Sequence, residues 1–197
     1  FSFHATKAFN TMEGGAVTTN DDQLAETLRL MRNFGFKGYD NVIHPGTNGK
    51  MIEVCAAMGL ANLDGFDAIV AANQRTHAAY QQGLAAIPSI KVLTYDPTER
   101  NNHHYVVVEV DKSCPVSRDD LIAALHANNI LVRKYFWPGC HRMQPYRGLF
   151  PHAGLMLPNT IAVADRVMVL PNGDLPESVV EKIANIIKNL MGGVCNS

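Results

Sequence analysis

The sequence lacks a surplus of either charge: 17 lysines and arginines face 18 aspartates and glutamates, a formal net charge of -1 at pH 7. A chain so balanced exerts no overall pull on a phosphate backbone or an anionic bilayer, so nucleic-acid or membrane-surface binding would need a local basic patch, and none is visible. Long hydrophobic runs are also missing. No apolar stretch reaches the roughly 18 residues needed to cross a bilayer, and the opening FSFHATK lacks the charged-then-apolar order of a signal peptide. Cysteine is sparse, with Cys55, Cys114, Cys140 and Cys195 scattered without a CxxC pair in a chain large enough to need no covalent staples. No zinc-ligand spacing occurs among the eight histidines, since His103 and His104 are adjacent and neighbours on a strand face opposite ways, and the adjacent Cys140 and His141 fare no better. These absences point to a soluble, cytoplasmic chain with reduced thiols, no metal site, and no nucleic-acid or membrane partner.

What is present is an ordinary globular composition, 47% hydrophobic and 18% charged over 197 residues, enough for one large domain or two small ones. Strand-like and helix-like patterns alternate along it. Gly14 to Asn20 reads as a short β-prone run, and Asp21 and Asp22 then cap a helix whose Leu24, Leu28 and Met31 recur at helical spacing. Residues 34–50, with five glycines or prolines, read as a long irregular loop of the kind usually kept for function. From Met51 to about Leu63, helically spaced Val54, Ala57, Met58 and Leu60 predict a buried helix, with Ala56, Gly59 and Ala61 small enough for close packing. A longer, half-polar helix follows from Phe66 to about Ala86, ended by Pro88. Strands are expected at 90–95, 104–110 and 130–136, with a helix capped at Ser117 between the last two. A final helix enters at Pro176-Glu177 and stops at Gly192-Gly193. The second part reads as a small α/β sandwich. The elements before it are too few to close a parallel sheet covered on both faces, so the rest of that sheet is expected on another chain, or the sequence is a fragment.

Lys7, followed by apolar Phe9 and Met12 and by Glu13-Gly14-Gly15, is a candidate nucleophile. An amine in a poorly hydrated site forms Schiff bases with aldehydes, although on spacing alone the stronger reading is a solvated surface charge. Residue type by itself favours turn roles for Ser2 and for Asn48 between Gly46 and Gly49, and leaves His141 and Trp137 as core or rim residues.

The segment SFHATKAFNTMEGGAVTTND closely resembles the pyridoxal-phosphate lysine segment of the DegT-type nucleotide-sugar aminotransferases. Three further blocks resemble that family in the same order: HPGTNGKMIEVCAAMGLANL its Gly-x-Asn loop and Ala-rich helix, SRDDLIAALHANNILVRKYFWPGCHRMQPYR its small-domain helix, strand and histidine loop, and LPNGDLPESVVEKI the entry to its last helix. The likeness runs from Ser2 to about Leu190. It implies an α/β chain corresponding to the C-terminal part of a fold type I aminotransferase: the end of the large cofactor-binding domain over 1–65, a connecting helix over 66–88 and a small α/β domain over 89–197.

The resemblance further implies pyridoxal 5'-phosphate as cofactor, Lys7 as its Schiff-base lysine and Ser2 as a ligand of its phosphate. It makes Asn48 the residue that reaches a partner subunit's phosphate in a homodimer with shared sites. His141, Arg133 and Tyr135 fall near the substrate entrance. The implied activity is transfer of an amino group, with glutamate as donor, to a nucleotide-linked keto-deoxysugar. Lys50 departs from the arginine the family often carries there, keeping the charge without the forked geometry. The acid that protonates the cofactor's ring nitrogen lies, in the family, before the lysine segment, so the chain is expected to be a C-terminal half with little activity alone. Two other readings are a sugar dehydratase relative, against which Lys7 argues because histidine replaces the lysine there, and a non-catalytic α/β module that dimerises or binds a partner.

Overall fold

The computed structural model describes residues 1–194, which divide into two compact units, one over Phe1–Asp67 and a second beginning at Ala68. Among the described residues no single helix is long and apolar enough to cross a membrane. Cys55, Cys114 and Cys140 carry free thiols, and Cys195 lies outside the described residues.

The first unit holds α1 (Asp22–Arg32), α2 (Glu53–Asp64) and the loops around them. α1 starts where the sequence predicts: the Asp21 carboxylate accepts the N–H groups of Gln23 and Leu24, satisfying two of the donors a helix start leaves open. The expected strand at 14–20 does not form. A strand needs a neighbour to take its backbone groups, and this segment finds only an isolated bridge between Gly15 and Ser2. α2 lies where its spacing puts it, but it is not the buried helix expected: only Cys55 and Gly59 are buried, while Val54 and Leu60 stand 57% and 67% exposed. Periodicity identifies an apolar face; it cannot supply the element that covers it.

The second unit is built on a three-stranded antiparallel sheet of β1 (Ile90–Val92), β2 (Val106–Val110) and β3 (Val167–Leu170), in the order β1-β2-β3. β2 alternates: Val106, Val108 and Val110 are buried, while Val107 and Glu109 are half-buried on the other face, where Glu109 pairs with Arg166 at 2.9 Å. Helices α3 (Phe66–Leu84), α4 (Arg118–Ala127) and α7 (Glu177–Val194) bury Tyr80 and Leu84, Leu121 and Leu125, and Ile183 and Ile187 in the same core as Val106, Val108 and Met168. In α7 the buried residues are Val180, Ile183, Ala184 and Ile187, the repeat of a one-faced helix. The glycines expected to stop it do not, since it continues through Val194. Ser117 caps α4 as predicted, its hydroxyl oxygen accepting the Asp120 N–H.

All three strand expectations of this unit are corrected. Residues 130–136 make only one bridge, Arg133 to Val169, because the chain turns immediately afterwards, with Trp137 N–H donating to Lys134 and Gly139 N–H to Phe136. The sheet position opposite β2 is taken instead by β3, which follows the two short helices α5 (Tyr146–Leu149) and α6 (Pro158–Ala164). β1 stops at Val92 and β2 starts at Val106, because the Tyr95 hydroxyl, not a neighbouring strand, accepts the Tyr105 N–H and donates to the Tyr105 carbonyl at 2.6 Å.

Candidate active site

Lys7 sits near the tip of a loop closed at its base by backbone pairing. Phe3 N–H donates to Gly14 O and Thr11 N–H to Phe3 O, both at 2.9 Å, and Ser2 bridges Gly15. Aromatic residues brace it: Phe3 and Phe9 meet edge to face at 4.9 Å, and Phe9 meets Phe66 in the same way at 6.0 Å. Asn62 of α2 adds a side-chain bond to the Asn10 carbonyl at 2.8 Å.

α2 meets this loop where Thr11 packs against Gly59. Thr11 is 2% exposed, and its hydroxyl donates to Glu13 O at 2.8 Å. A Cβ at Gly59 would lie 2.8 Å from the Thr11 methyl, closer than carbon atoms pack. Rotating Thr11 away would break its bond to Glu13, so the glycine is required for α2 to approach the lysine loop. Gly59→Ala would ordinarily stabilise a helix by about 1 kcal/mol. Here overpacking outweighs that gain, and a net loss of about 2 kcal/mol is expected by urea denaturation. A Gly59→Ala protein as stable as the parent would show that the loop yields freely.

The Lys7 side chain is half-buried, and among the described residues its amine makes no ion pair or hydrogen bond. Ser2 is exposed on the same loop, its hydroxyl oxygen accepting the His4 N–H at 3.4 Å. Asn48 lies elsewhere, in the irregular loop predicted over 34–50. It is exposed and bridged to Asn33, with Gly49 N–H donating to Arg32 O at 2.9 Å. Lys50 places its Nζ 5.0 Å from the centre of the Phe34 ring.

The other three sequence candidates lie in the second unit. Arg133 is exposed, held by the bridge to Val169, and its guanidinium stacks over Tyr135 at 5.0 Å. Tyr135 in turn packs on Tyr105 at 5.4 Å. His141 does not join this group. Its ring sits between Gly139 and Gly154, a Cβ at Gly139 falling 2.8 Å from its Cε1, and its Nε2 is buried without a hydrogen-bond partner. Sequence reasoning missed Tyr105. Burial first, and its hydrogen bond with Tyr135 second, push its phenol up to about 12, so it remains a neutral donor at physiological pH. The signal was available in the alternation of β2: with Val106 inward, Tyr105 falls on the open face.

These residues fit pyridoxal 5'-phosphate by their chemistry. An uncommitted amine suits the aldehyde, and a hydroxyl on the same closed loop and a separate carboxamide suit a phosphate.

A model of the DegT/DnrJ/EryC1/StrS aminotransferase family matches residues 1–190. Among characterised proteins, the chain is 33% identical over 190 residues to a dTDP-4-amino-4,6-dideoxy-D-glucose transaminase of Shigella dysenteriae, covering 96% of this chain and 51% of the relative. It is likewise 33% identical over 186 residues to a protein of the same name from Escherichia coli, covering 94% and 50%. The crystal structure of DesI with its TDP-sugar product superposes with a TM-score of 0.85 at 44% identity, over 95% of this chain and 47% of that one. Helicobacter pylori PseC, an aminotransferase of pseudoaminic acid biosynthesis, gives 0.83 at 25% identity, over 97% and 52%. The chain spans about half the length of the curated relatives it matches. Its mixed α/β architecture is that of the C-terminal part of fold type I aminotransferases, as the sequence led us to expect.

Proposed function

Since the chain belongs to the DegT/DnrJ/EryC1/StrS aminotransferase family, we propose that it supplies the cofactor lysine and the small domain of an enzyme that moves an amino group from glutamate to a keto group of a nucleotide-linked deoxysugar. In this reading residues 1–65 belong to the cofactor-binding domain, 66–88 form the connecting helix and 89–197 the small domain. The observation that carries it is the uncommitted amine of Lys7 at the tip of a braced loop, within a segment that the family model spans.

Pyridoxal 5'-phosphate is the family's cofactor, and when bound its aldehyde and electron-poor ring supply the electron sink for amino transfer. Lys7 Nζ is the group that takes the aldehyde. Once released from it, the same Nζ would accept the proton lost from the amino donor's carbon and deliver it to the former aldehyde carbon, which then bears the amino group; the reverse transfer would return the amino group to the acceptor sugar. The Ser2 hydroxyl donates to a phosphate oxygen. Asn48 does the same across the interface of a homodimer, its exposed position on the irregular loop leaving its amide free for a second copy. Arg133, stacked on Tyr135, offers a guanidinium fork to the diphosphate of the sugar nucleotide, and His141 is the loop histidine that the family resemblance assigns to the substrate entrance.

The test is reduction with borohydride in the presence of pyridoxal 5'-phosphate, followed by peptide mapping. A phosphopyridoxyl group concentrated on Lys7 is the expected result. Label spread evenly over Lys37, Lys50, Lys91 and Lys7 would overturn the reading. In the cofactor-loaded enzyme, glutamate should convert bound cofactor to its amino form faster than alanine does; no preference would remove glutamate as donor.

A further inference from the structure

Two consecutive backbone N–H groups in the lysine loop both end on one residue. Lys7 N–H donates to the His4 carbonyl at 2.9 Å, and Thr6 N–H donates to His4 Nδ1 at 3.3 Å. The Thr6 hydroxyl also lies 3.0 Å from that nitrogen. Because Nδ1 is an acceptor, the ring proton of the neutral imidazole lies on Nε2, and Nε2 faces Glu13 Oε1 on the opposite limb at 3.4 Å. Glu13 is anchored in its turn: its N–H donates to Thr11 O, and its carbonyl accepts the hydroxyl of buried Thr11, which α2 holds at Gly59. A continuous chain of contacts thus runs from the helix through Thr11, Glu13 and His4 to the peptide that bears the Lys7 side chain.

We infer that His4, oriented by Glu13, is a positioning residue for the Lys7 amine. The inference rests on the reading of Lys7 as the cofactor lysine. The His4 and Glu13 side chains are 50% and 76% exposed, and a pair so wet adds almost nothing to folding stability. What it governs is direction. With two successive N–H groups tied to one residue, the Cα–Cβ bond of Lys7 leaves the turn at one angle, and a shift of about 1 Å at a reacting atom can change a rate roughly a hundredfold. The geometry at His4 is that of an Asx turn made with an imidazole: a side-chain acceptor at one residue caps the N–H two residues on. Asparagine can make the same cap without reaching Glu13.

The variants to compare are therefore His4→Phe, which removes the cap, and His4→Asn, which keeps it. One readout is the rate at which pyridoxal 5'-phosphate and borohydride label Lys7, with Lys91 as internal reference. The other needs no cofactor: the carbon-13 signal of Lys7 after reductive methylation with labelled formaldehyde. His4→Phe is expected to slow labelling of Lys7 about tenfold, within the range a small misplacement produces, to shift or broaden the methyl signal, and to leave Lys91 and the melting temperature unchanged. His4→Asn is expected to restore both rate and signal. The inference fails if His4→Phe labels Lys7 at the parent rate with an unmoved signal. It fails equally if both variants lose rate together with melting temperature, since His4 would then be structural. If the parent does not label Lys7 above Lys91, the reading of Lys7 as cofactor lysine falls alone, and the methyl signal still decides the role of His4.

Discussion

On the proposed function, replacing Lys7 with alanine is expected to lower amination of a nucleotide-linked keto-sugar by a factor on the order of 10^4 or more, the scale on which enzymes lose rate when their nucleophile is removed. The reason is that one nitrogen does two jobs. On the proposed function it takes the cofactor's aldehyde and carries the proton between carbons, and nothing nearby replaces it: Ser2 offers only a hydroxyl, and the His4 ring is engaged by Thr6 and Glu13. Because the Lys7 amine makes no ion pair among the described residues, its loss leaves no carboxylate unpaired and the fold should melt as before. Chromatography of the amino-sugar product gives the rate. Added methylamine, small enough to enter the vacated space, should recover part of it. A Lys7→Ala enzyme within tenfold of the parent would mean that another base moves the proton.

The largest loss of stability is expected from Arg118→Ala. Arg118 opens α4 and is 6% exposed, and its Nη1 donates to two backbone carbonyls, Ala164 O at 3.0 Å and Val167 O at 2.7 Å, at the end of α6 and the start of β3. Its Nε binds Asp119, which also takes Lys134 at 2.7 Å. The hydrogen bond from Lys134, chiefly, holds the Asp119 carboxyl below the usual carboxylate range, with Arg118 adding to it. Alanine at 118 leaves both carbonyls short of a donor, and breaking a buried set of this kind costs about 3 kcal/mol or more. That corresponds to roughly 10 °C in melting temperature. Lysine should not rescue it, since an ammonium cannot span two carbonyls and a carboxylate from the guanidinium's positions. The damage should reach Arg133 and Tyr135 as well, because the bridge from Arg133 to Val169 hangs on β3. A small change in melting temperature would show that β3 is held by its apolar side chains alone.

Much of the architecture was legible because local rules wrote it. Asp21 and Ser117 cap helices where side-chain acceptors precede helical periodicity, and the alternation in Val106 to Val110 declares a one-faced strand. The errors share one cause. The run at 14–20 and the segment 130–136 have strand composition, but a strand exists only when a partner takes its hydrogen bonds. β3 succeeded where 130–136 failed because the turn after α6 delivers Val167 to Leu170 alongside β2, whereas the chain beyond Tyr135 turns away. Likewise the apolar face of α2 was read correctly as apolar and wrongly as buried.

The same division holds at the site. Lys7, Ser2 and Asn48 were proposed from the family resemblance, because a lysine segment and its flanking motif are properties of the chain. That Thr6 and Lys7 both hang on His4, that Glu13 reaches across to hold it, and that Gly59 admits Thr11 could not, since they join residues up to 48 positions apart. Chemistry of side chains and local hydrogen-bond rules act over a few residues, so the order of amino acids determined the helices and their caps and proposed the nucleophile. Which apolar faces are covered, which strands find partners and what direction the lysine takes depend on contacts between distant segments, and only the folded chain decided them.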